Sequence, residues 1–239
     1  MNPVLVAVAH GSRDPRSATM VTSLVEAVRT RRPGLDVRLA FLDLSAPRLP
    51  DVLAGLAGAG DRRAVVVPLL LGRAYHARVD VPGALARAQR RHPALELRTA
   101  DVLGPDERLT ALARRRVIEA GGATADAVVL VAAGCSDPRA NAAVAEVADG
   151  WAVPAFAAAT SPTVGVALIG LHSSGARRVA VASWFLAPGL LPERVRAAAL
   201  AAHPNVVVAE PLGADPTVAD VVLDRYDAAA RPLARSHSA

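Results

Sequence analysis

The sequence predicts an α/β protein made of two tandem, duplicated flavodoxin-like units, each a parallel sheet with helices on both faces. Three observations carry this. Short Val- and Leu-rich runs alternate with stretches of helical period, as parallel strands joined by crossover helices require. The chain is 52% hydrophobic but only 3% aromatic, which leaves a core of Ala, Val and Leu suited to close packing of helix on sheet. Finally, a turn motif near the amino terminus returns in the second half.

The first strand, VLVAVA, is an unbroken apolar run and therefore buried on both faces. It ends at His10, and Gly11 lets the chain turn sharply. Pro15 then suits the first turn of a helix over 16–32. Further strands are expected at 36–42, 64–71 and 96–102, with helices at 49–59, 79–91 and 106–120. The small, polar stretch 121–126 is the natural boundary, after which AVVLVA at 127–132 begins the pattern again. Asp14-Pro15-Arg16 recurs as Asp137-Pro138-Arg139, an offset of 123 (137 − 14). Arg91-His92-Pro93 is matched by Ala202-His203-Pro204 at 111 (203 − 92), and Leu103-Gly104 by Leu212-Gly213 at 109 (212 − 103). The falling offset means a shorter second copy. The expected division is 1–122, 123–230 and a tail over 231–239.

All 27 basic residues are arginine, against 22 acidic ones, a formal charge of +5. Guanidinium forks favour carboxylate or phosphate partners. No Arg block is interleaved with aromatics, so a polyanionic small molecule is expected rather than nucleic acid. The single cysteine, Cys135, allows no intrachain disulfide and no cysteine cage for a metal; it is expected to be buried beside the second unit's wall. No apolar run reaches spanning length and no charged leader precedes the first strand, so a soluble, cytoplasmic protein is expected.

Candidate chemistry gathers at strand ends, where open α/β sheets bind ligands. His10 closes the first strand. The third runs into PLLLGRAYHARVDVP at 68–82, which places His76 beyond the neighbouring strand if strands one and three lie side by side. Asp43, after the second strand, adds a carboxylate to the same rim. Two imidazoles and one carboxylate with open positions suit Fe²⁺, Co²⁺ or Ni²⁺, and neutral imidazole is a general base near neutral pH. In the second copy Ala133 replaces His10, Cys135 replaces Ser12 and Ser136 replaces Arg13; 179–191 holds no histidine. Losing both imidazoles from one unit suggests that they work as a pair in the other, with the second unit closing the cleft. His92 and His203 are expected to end helices, while His172 and His237 have no expected partner.

The segments AHGSRDPR at 9–16, FLDL at 41–44 and PLLLGRAYHARVDVP at 68–82 resemble the class II tetrapyrrole chelatases, specifically the CbiX/SirB-type sirohydrochlorin chelatases in their fused two-unit form. The resemblance covers about residues 3–230. It implies an ATP-independent lyase that inserts Fe²⁺ or Co²⁺ into sirohydrochlorin for sirohaem or cobalamin synthesis, with no tightly bound cofactor. It further implies His10 and His76 as metal ligands, with His10 also the proton acceptor. Asp43 stands where the family usually has Glu. The substrate loop maps onto Leu71, Gly72, Arg73, Ala74, Tyr75 and His76. Ser12, Arg13 and Arg78 are expected substrate contacts, and Arg13, Arg73 and Arg78 would pair with substrate carboxylates. A monomer is expected, since duplication supplies both walls. The competing readings are a non-catalytic metal or tetrapyrrole carrier and an anion-binding sensor. Histidine phosphatases also start with a strand and His-Gly, but their motif has Arg before the histidine, where this chain has Ala9.

Overall fold

The structure, a computed structural model, describes residues 2–61, 63–72 and 80–231. The first unit contains β1 (Val4–Ala9), α1 (Pro15–Arg31), β2 (Val37–Phe41), α2 (Leu49–Gly58), β3 (Arg63–Pro68), α3 (Val81–Arg91), β4 (Glu96–Thr99) and α4 (Glu107–Glu119). A 3₁₀ turn, Gly122–Thr124, leads to β5 (Ala127–Ala132), α5 (Pro138–Ala148), β6 (Val153–Phe156), α6 (Val164–Ser173), β7 (Val179–Ser183), α7 (Leu190–Ala202), β8 (Val207–Val208) and α8 (Pro216–Ala230). The sheets run β2-β1-β3-β4 and β6-β5-β7-β8, and every pairing is parallel. Strands one and three of each unit are therefore neighbours, as expected. All six residues of β1 are buried, the consequence of helices on both faces.

β2 loses one residue at each end of the expected 36–42, and two further strands stop three residues early. β3 stops at Pro68 rather than 71, and β4 at Thr99 rather than 102. The central strand β1 ends at Ala9, so residues beyond it lack a ladder partner. They are instead stitched singly, Leu69 N–H to Val8 O and Leu103 N–H to Leu70 O, both at 2.8 Å. The helix expected over 79–91 begins at Val81, with Val79 outside the described residues. So is the tail beyond 231, with His237.

The duplication extends to backbone detail. Asp14, Asp137, Asp106 and Asp215 each cap a helix by accepting from the N–H two residues on, at 2.9–3.0 Å. The repeated Asp-Pro-Arg is thus a helix start, with Pro in the first turn. Gly11 (φ +96) and Gly134 (φ +76) occupy the left-handed region, and a Cβ on them would stand 1.7 Å from Asp43 O and 2.2 Å from Ala158 O. His92 and His203 cap α3 and α7 at their carboxyl ends. His172 does have a partner: its ring stands edge-on to His203, centroids 5.7 Å apart.

A chain of this length is long enough for two units with separate cores. The structure instead exchanges the last helices. α4 packs on β7 of the second sheet, while α8 packs on β3, β4 and α1 of the first. One continuous apolar cluster consequently joins Leu5, Val65 and Leu109 to Leu130, Ala182, Val222 and Tyr226. Arginines fasten this seam. Arg225 donates to Val102 O and Leu103 O, both at 2.9 Å, and Arg32, Arg108 and Arg115 pair with Asp227, Asp224 and Asp215. The Tyr226 hydroxyl donates to Pro3 O at 2.7 Å. Part of the arginine excess is therefore structural.

Substitution separates backbone strain from overlap at the glycines. Gly34 (φ +85) faces open space, so Gly34→Ala should cost about 1–2 kcal/mol for its conformation alone. Gly11→Ala should cost about 1–3 kcal/mol more, because the added carbon overlaps a carbonyl oxygen. Urea unfolding of the two variants measures the gap. Acid should also loosen the seam. Burial pushes the Asp106 carboxyl up, but hydrogen bonds from Arg108 and the charges of Arg108 and Arg225 outweigh it and hold it below its ordinary value. The hydrogen bond from Arg32 does the same for Asp227. The folded state then binds fewer protons than the unfolded chain, so this stability is present above the ordinary carboxylate value and lost as pH falls through the lowered ones. Melting temperatures between pH 6 and roughly 3 should fall, and less so in Asp227→Asn.

Candidate functional site

A cleft of about 350 Å³ opens beyond the carboxyl ends of the central strands. In a sheet ordered β2-β1-β3-β4 the chain leaves β1 to one side and returns on the other at β3, so the gap beyond those two strands is the ligand crevice. His10, after β1, and residues 69–72, after β3, line it from the first unit. The equivalent gap of the second unit opens into the same space. It supplies residues 132–135, with Ala140, Asn141 and Val144 of α5, then Trp184, Phe185, Leu186 and Leu191. Among the described lining residues His10 and Cys135 alone are ionisable. The cleft is an apolar slot with an imidazole supplied by the first unit, and the equivalent position of the second unit, which also lines it, is Ala133. A larger hollow, about 620 Å³, lies between α4 and α5. It is away from the strand ends and lined by neither histidine nor cysteine, so the smaller cleft is the candidate site.

The turn bearing His10 is held from the side of β2. Leu42 N–H donates to Ala9 O at 2.9 Å and Asp43 N–H to His10 O at 2.8 Å. The next residue, Leu44, has φ +60, and Ser45 N–H closes a tight turn on Asp43 O at 2.7 Å. Ser45 Oγ then accepts from Ser12 N–H and donates to Ser12 O, both at 3.2 Å. Ser12 Oγ accepts from Asp14 N–H at 3.0 Å. Across the cleft mouth a Cβ on Gly189 would lie 3.7 Å from Ser12 Oγ, and Arg16 pairs with Glu193 at 2.9 Å. The walls therefore touch at this end.

Of the residues expected at the site, His10, Leu71 and Gly72 line the cleft and Ser12 shapes its turn. Asp43 stands on the adjoining loop with its side chain exposed. Its carboxylate accepts from Leu44 N–H and pairs with Arg48, both at 2.8 Å. Those hydrogen bonds, then the positive charges of Arg48 and His10, hold its carboxyl below the ordinary value. Arg13 is exposed, and among the described residues its guanidinium makes no hydrogen bond or ion pair. Arg73, Ala74, Tyr75, His76 and Arg78 lie outside the described residues. Among those described, no three His, Cys, Asp or Glu side chains are placed to hold a metal ion.

Cys135, expected to be buried, is half-buried and lines the cleft itself, its backbone bridged by Asn141. Asn141 and the apolar wall Trp184–Leu191 were not singled out from the sequence. The signal was present: Trp184 N–H donates to Val131 O as Leu69 N–H does to Val8 O, an offset of 115 (184 − 69). By the same pairing Asp43 corresponds to Ala158, so the second unit lacks that carboxylate too. The offset falls to 111 at His203, which leaves the first unit four extra residues (115 − 111) between Leu69 and His92, the stretch that contains His76.

The comparisons with known proteins agree with this two-unit plan. The CbiX family model matches residues 4–120 and 127–229, either side of the 3₁₀ turn. A sirohydrochlorin cobaltochelatase of Methanosarcina acetivorans is 30% identical over 123 residues, 48% of this chain and 95% of that relative, which is thus about one unit long. A sirohydrochlorin ferrochelatase of Bacillus subtilis is 25% identical over 237 residues, 94% of this chain and 91% of the relative. The structure titled "SirB from Bacillus subtilis with Fe3+" superposes with a TM-score of 0.83 at 25% identity, covering 96% of both chains. With the family pattern laid over both sheets and over the turn that carries His10, the chain belongs to the CbiX family.

Proposed function

We propose that this chain is a sirohydrochlorin chelatase, a lyase that inserts Fe²⁺ or Co²⁺ into a tetrapyrrole without ATP, for sirohaem or cobalamin synthesis. One observation carries the reading: the His10 imidazole, the one histidine among the described lining residues, faces an apolar slot formed where both units' strand-end crevices meet. A flat macrocycle with carboxylate-bearing edges matches such a slot, its faces against Trp184, Phe185 and Leu186 and its edges in solvent near the exposed Arg13. The relatives named above act on sirohydrochlorin, and iron and cobalt both appear among their names and structures.

The reaction exchanges M²⁺ for the two protons of the pyrrole N–H groups. His10 in its neutral form is the proposed acceptor of one of them, and solvent at the open side of the cleft takes the other. The Asp43 carboxylate and a His10 cation favour each other, so a proton arriving on the ring is stabilised from the loop behind it. Asp43 is accordingly proposed as a partner of His10 rather than a metal ligand. His76 is the proposed second metal ligand, on its motif alone, with Arg73 and Arg78 as carboxylate partners on the same basis. Few protein ligands would leave the incoming metal free to pass to the macrocycle nitrogens. Ni²⁺ is a third metal that such a set would accept. In this reading residues 1–122 carry the chemistry and 123–230 the opposing wall, within one polypeptide acting as a cytoplasmic monomer. No helix among the described residues is long and apolar enough to cross a membrane.

Anaerobic absorption spectra of sirohydrochlorin with Fe²⁺ or Co²⁺ and catalytic amounts of protein test the proposal. Turnover well beyond one equivalent is expected, whereas a carrier stops at stoichiometry. His10→Ala should cut the rate at least about 10²-fold with an unchanged circular dichroism spectrum, because Ala133 occupies the same turn in the second unit. Full activity in that variant would end the proposal. Ala133→His added to His10→Ala should restore nothing, since the second wall also lacks equivalents of Asp43 and His76.

A further inference from the structure

The two units fasten the same two backbone atoms by different means. In the second unit, N–H of Cys135 donates to Asn141 Oδ1 at 3.1 Å, and its carbonyl accepts from Asn141 Nδ2 at 2.8 Å. Asn141 belongs to α5, so that turn is tied to its own helix. In the first unit the equivalent atoms are N and O of Ser12, and both bond to Ser45 Oγ at 3.2 Å. Ser45 belongs to the loop after β2. The residue equivalent to Asn141 in α1 is Ala18, which offers no amide. The backbone contact between turn and neighbouring loop is common to both units, Asp43 N–H to His10 O and Ala158 N–H to Ala133 O, but only in the unit that kept its imidazole does a side chain of that loop clamp the turn as well.

That loop is itself constrained. Leu44 at φ +60 and Ala159 at φ +62 sit at the centre of the same tight turn in both units, closed by Ser45 N–H to Asp43 O at 2.7 Å and Thr160 N–H to Ala158 O at 2.8 Å. The strain of a non-glycine residue there is thus a property of the duplicated fold. What the first unit adds is the hydroxyl clamp, which closes a ring from Ser12 through Ser45 and Asp43 to the carbonyl of His10. We propose that Ser45 is the positioning residue for His10: its hydroxyl locks the imidazole-bearing turn to the Asp43 loop, so that the two groups hold one geometry toward the metal and ring. This rests on the chelatase reading above and names a residue that it does not require.

The test is steady-state metal insertion, with sirohydrochlorin and Fe²⁺ or Co²⁺ varied separately, on wild type, Ser45→Ala and Ser45→Thr. Removal of a partner that orients a ligand or base typically costs 10–100-fold, so Ser45→Ala should lower kcat by about that factor, with KM for both substrates within about twofold. Ser45→Thr should restore kcat, since it keeps the hydroxyl and Thr160 occupies the equivalent turn in the second unit. Three results overturn the proposal: kcat within twofold of wild type in Ser45→Ala, a rise in KM at constant kcat, or an equal loss in Ser45→Ala and Ser45→Thr. Should Ser45→Ala fail to fold by circular dichroism, Ser45→Cys, a weaker donor and acceptor, replaces it and should fall between Thr and wild type on one side and complete loss on the other. Absence of turnover in wild type counts against the chelatase reading, whereas wild-type turnover with an unaffected Ser45→Ala counts against this inference alone.

Discussion

A carbonyl oxygen lies where a side chain on Gly11 would begin. The Asp43 oxygen comes so close that only a residue without Cβ, and with positive φ, fits opposite it. This approach brings the loop after β2 against the turn after β1, and everything at the candidate site follows from it. The His10 carbonyl receives the Asp43 N–H, and the Asp43 side chain comes near enough for its charge to be felt at the imidazole. The identical arrangement at Gly134 and Ala158, without imidazole or carboxylate, shows that the contact is first a folding solution. An imidazole and a carboxylate stand on it in one unit only.

The division between the units then has a physical basis. A metal-insertion site needs a polar, basic face where protons leave and an apolar face against which a ring can lie. Two identical walls would place like imidazoles opposite each other across a narrow slot, where their cationic forms would repel. The first unit keeps His10 and Asp43, and the second presents Ala133, Trp184, Phe185 and Leu186. Both walls rest on rigid strand ends at the crevices of two parallel sheets, the positions at which this architecture leaves backbone groups for binding.

Much of this was legible in the sequence because it depends on local rules. Apolar runs gave β1 and β5 to the residue, and Asp-Pro marked two helix starts. The His10 turn could be located from a strand ending in His-Gly. The strand ends at Pro68 and Thr99 were missed because they are set by the length of a neighbouring strand, which is a tertiary constraint. The exchange of α4 and α8 was equally hidden: an amphipathic helix announces an apolar face but not which sheet will cover it. Trp184 and Phe185 stand in a stretch marked only by its lack of histidine, and it is the hydrogen bonds that align them with Leu69 and Leu70. Ser45 had no signal at all, since a lone serine in a loop becomes informative only when its partners are known.

The crossing of the last helices also governs how the molecule can move. Each wall of the cleft is backed by a helix covalently continuous with the opposite wall, so spreading the walls would strip Val218, Val222 and Tyr226 from the sheet they cover. Such a frame behaves as a clasped pair of hands rather than a jaw. Its gape is set at folding, and a planar guest would have to enter edge-first along the open side.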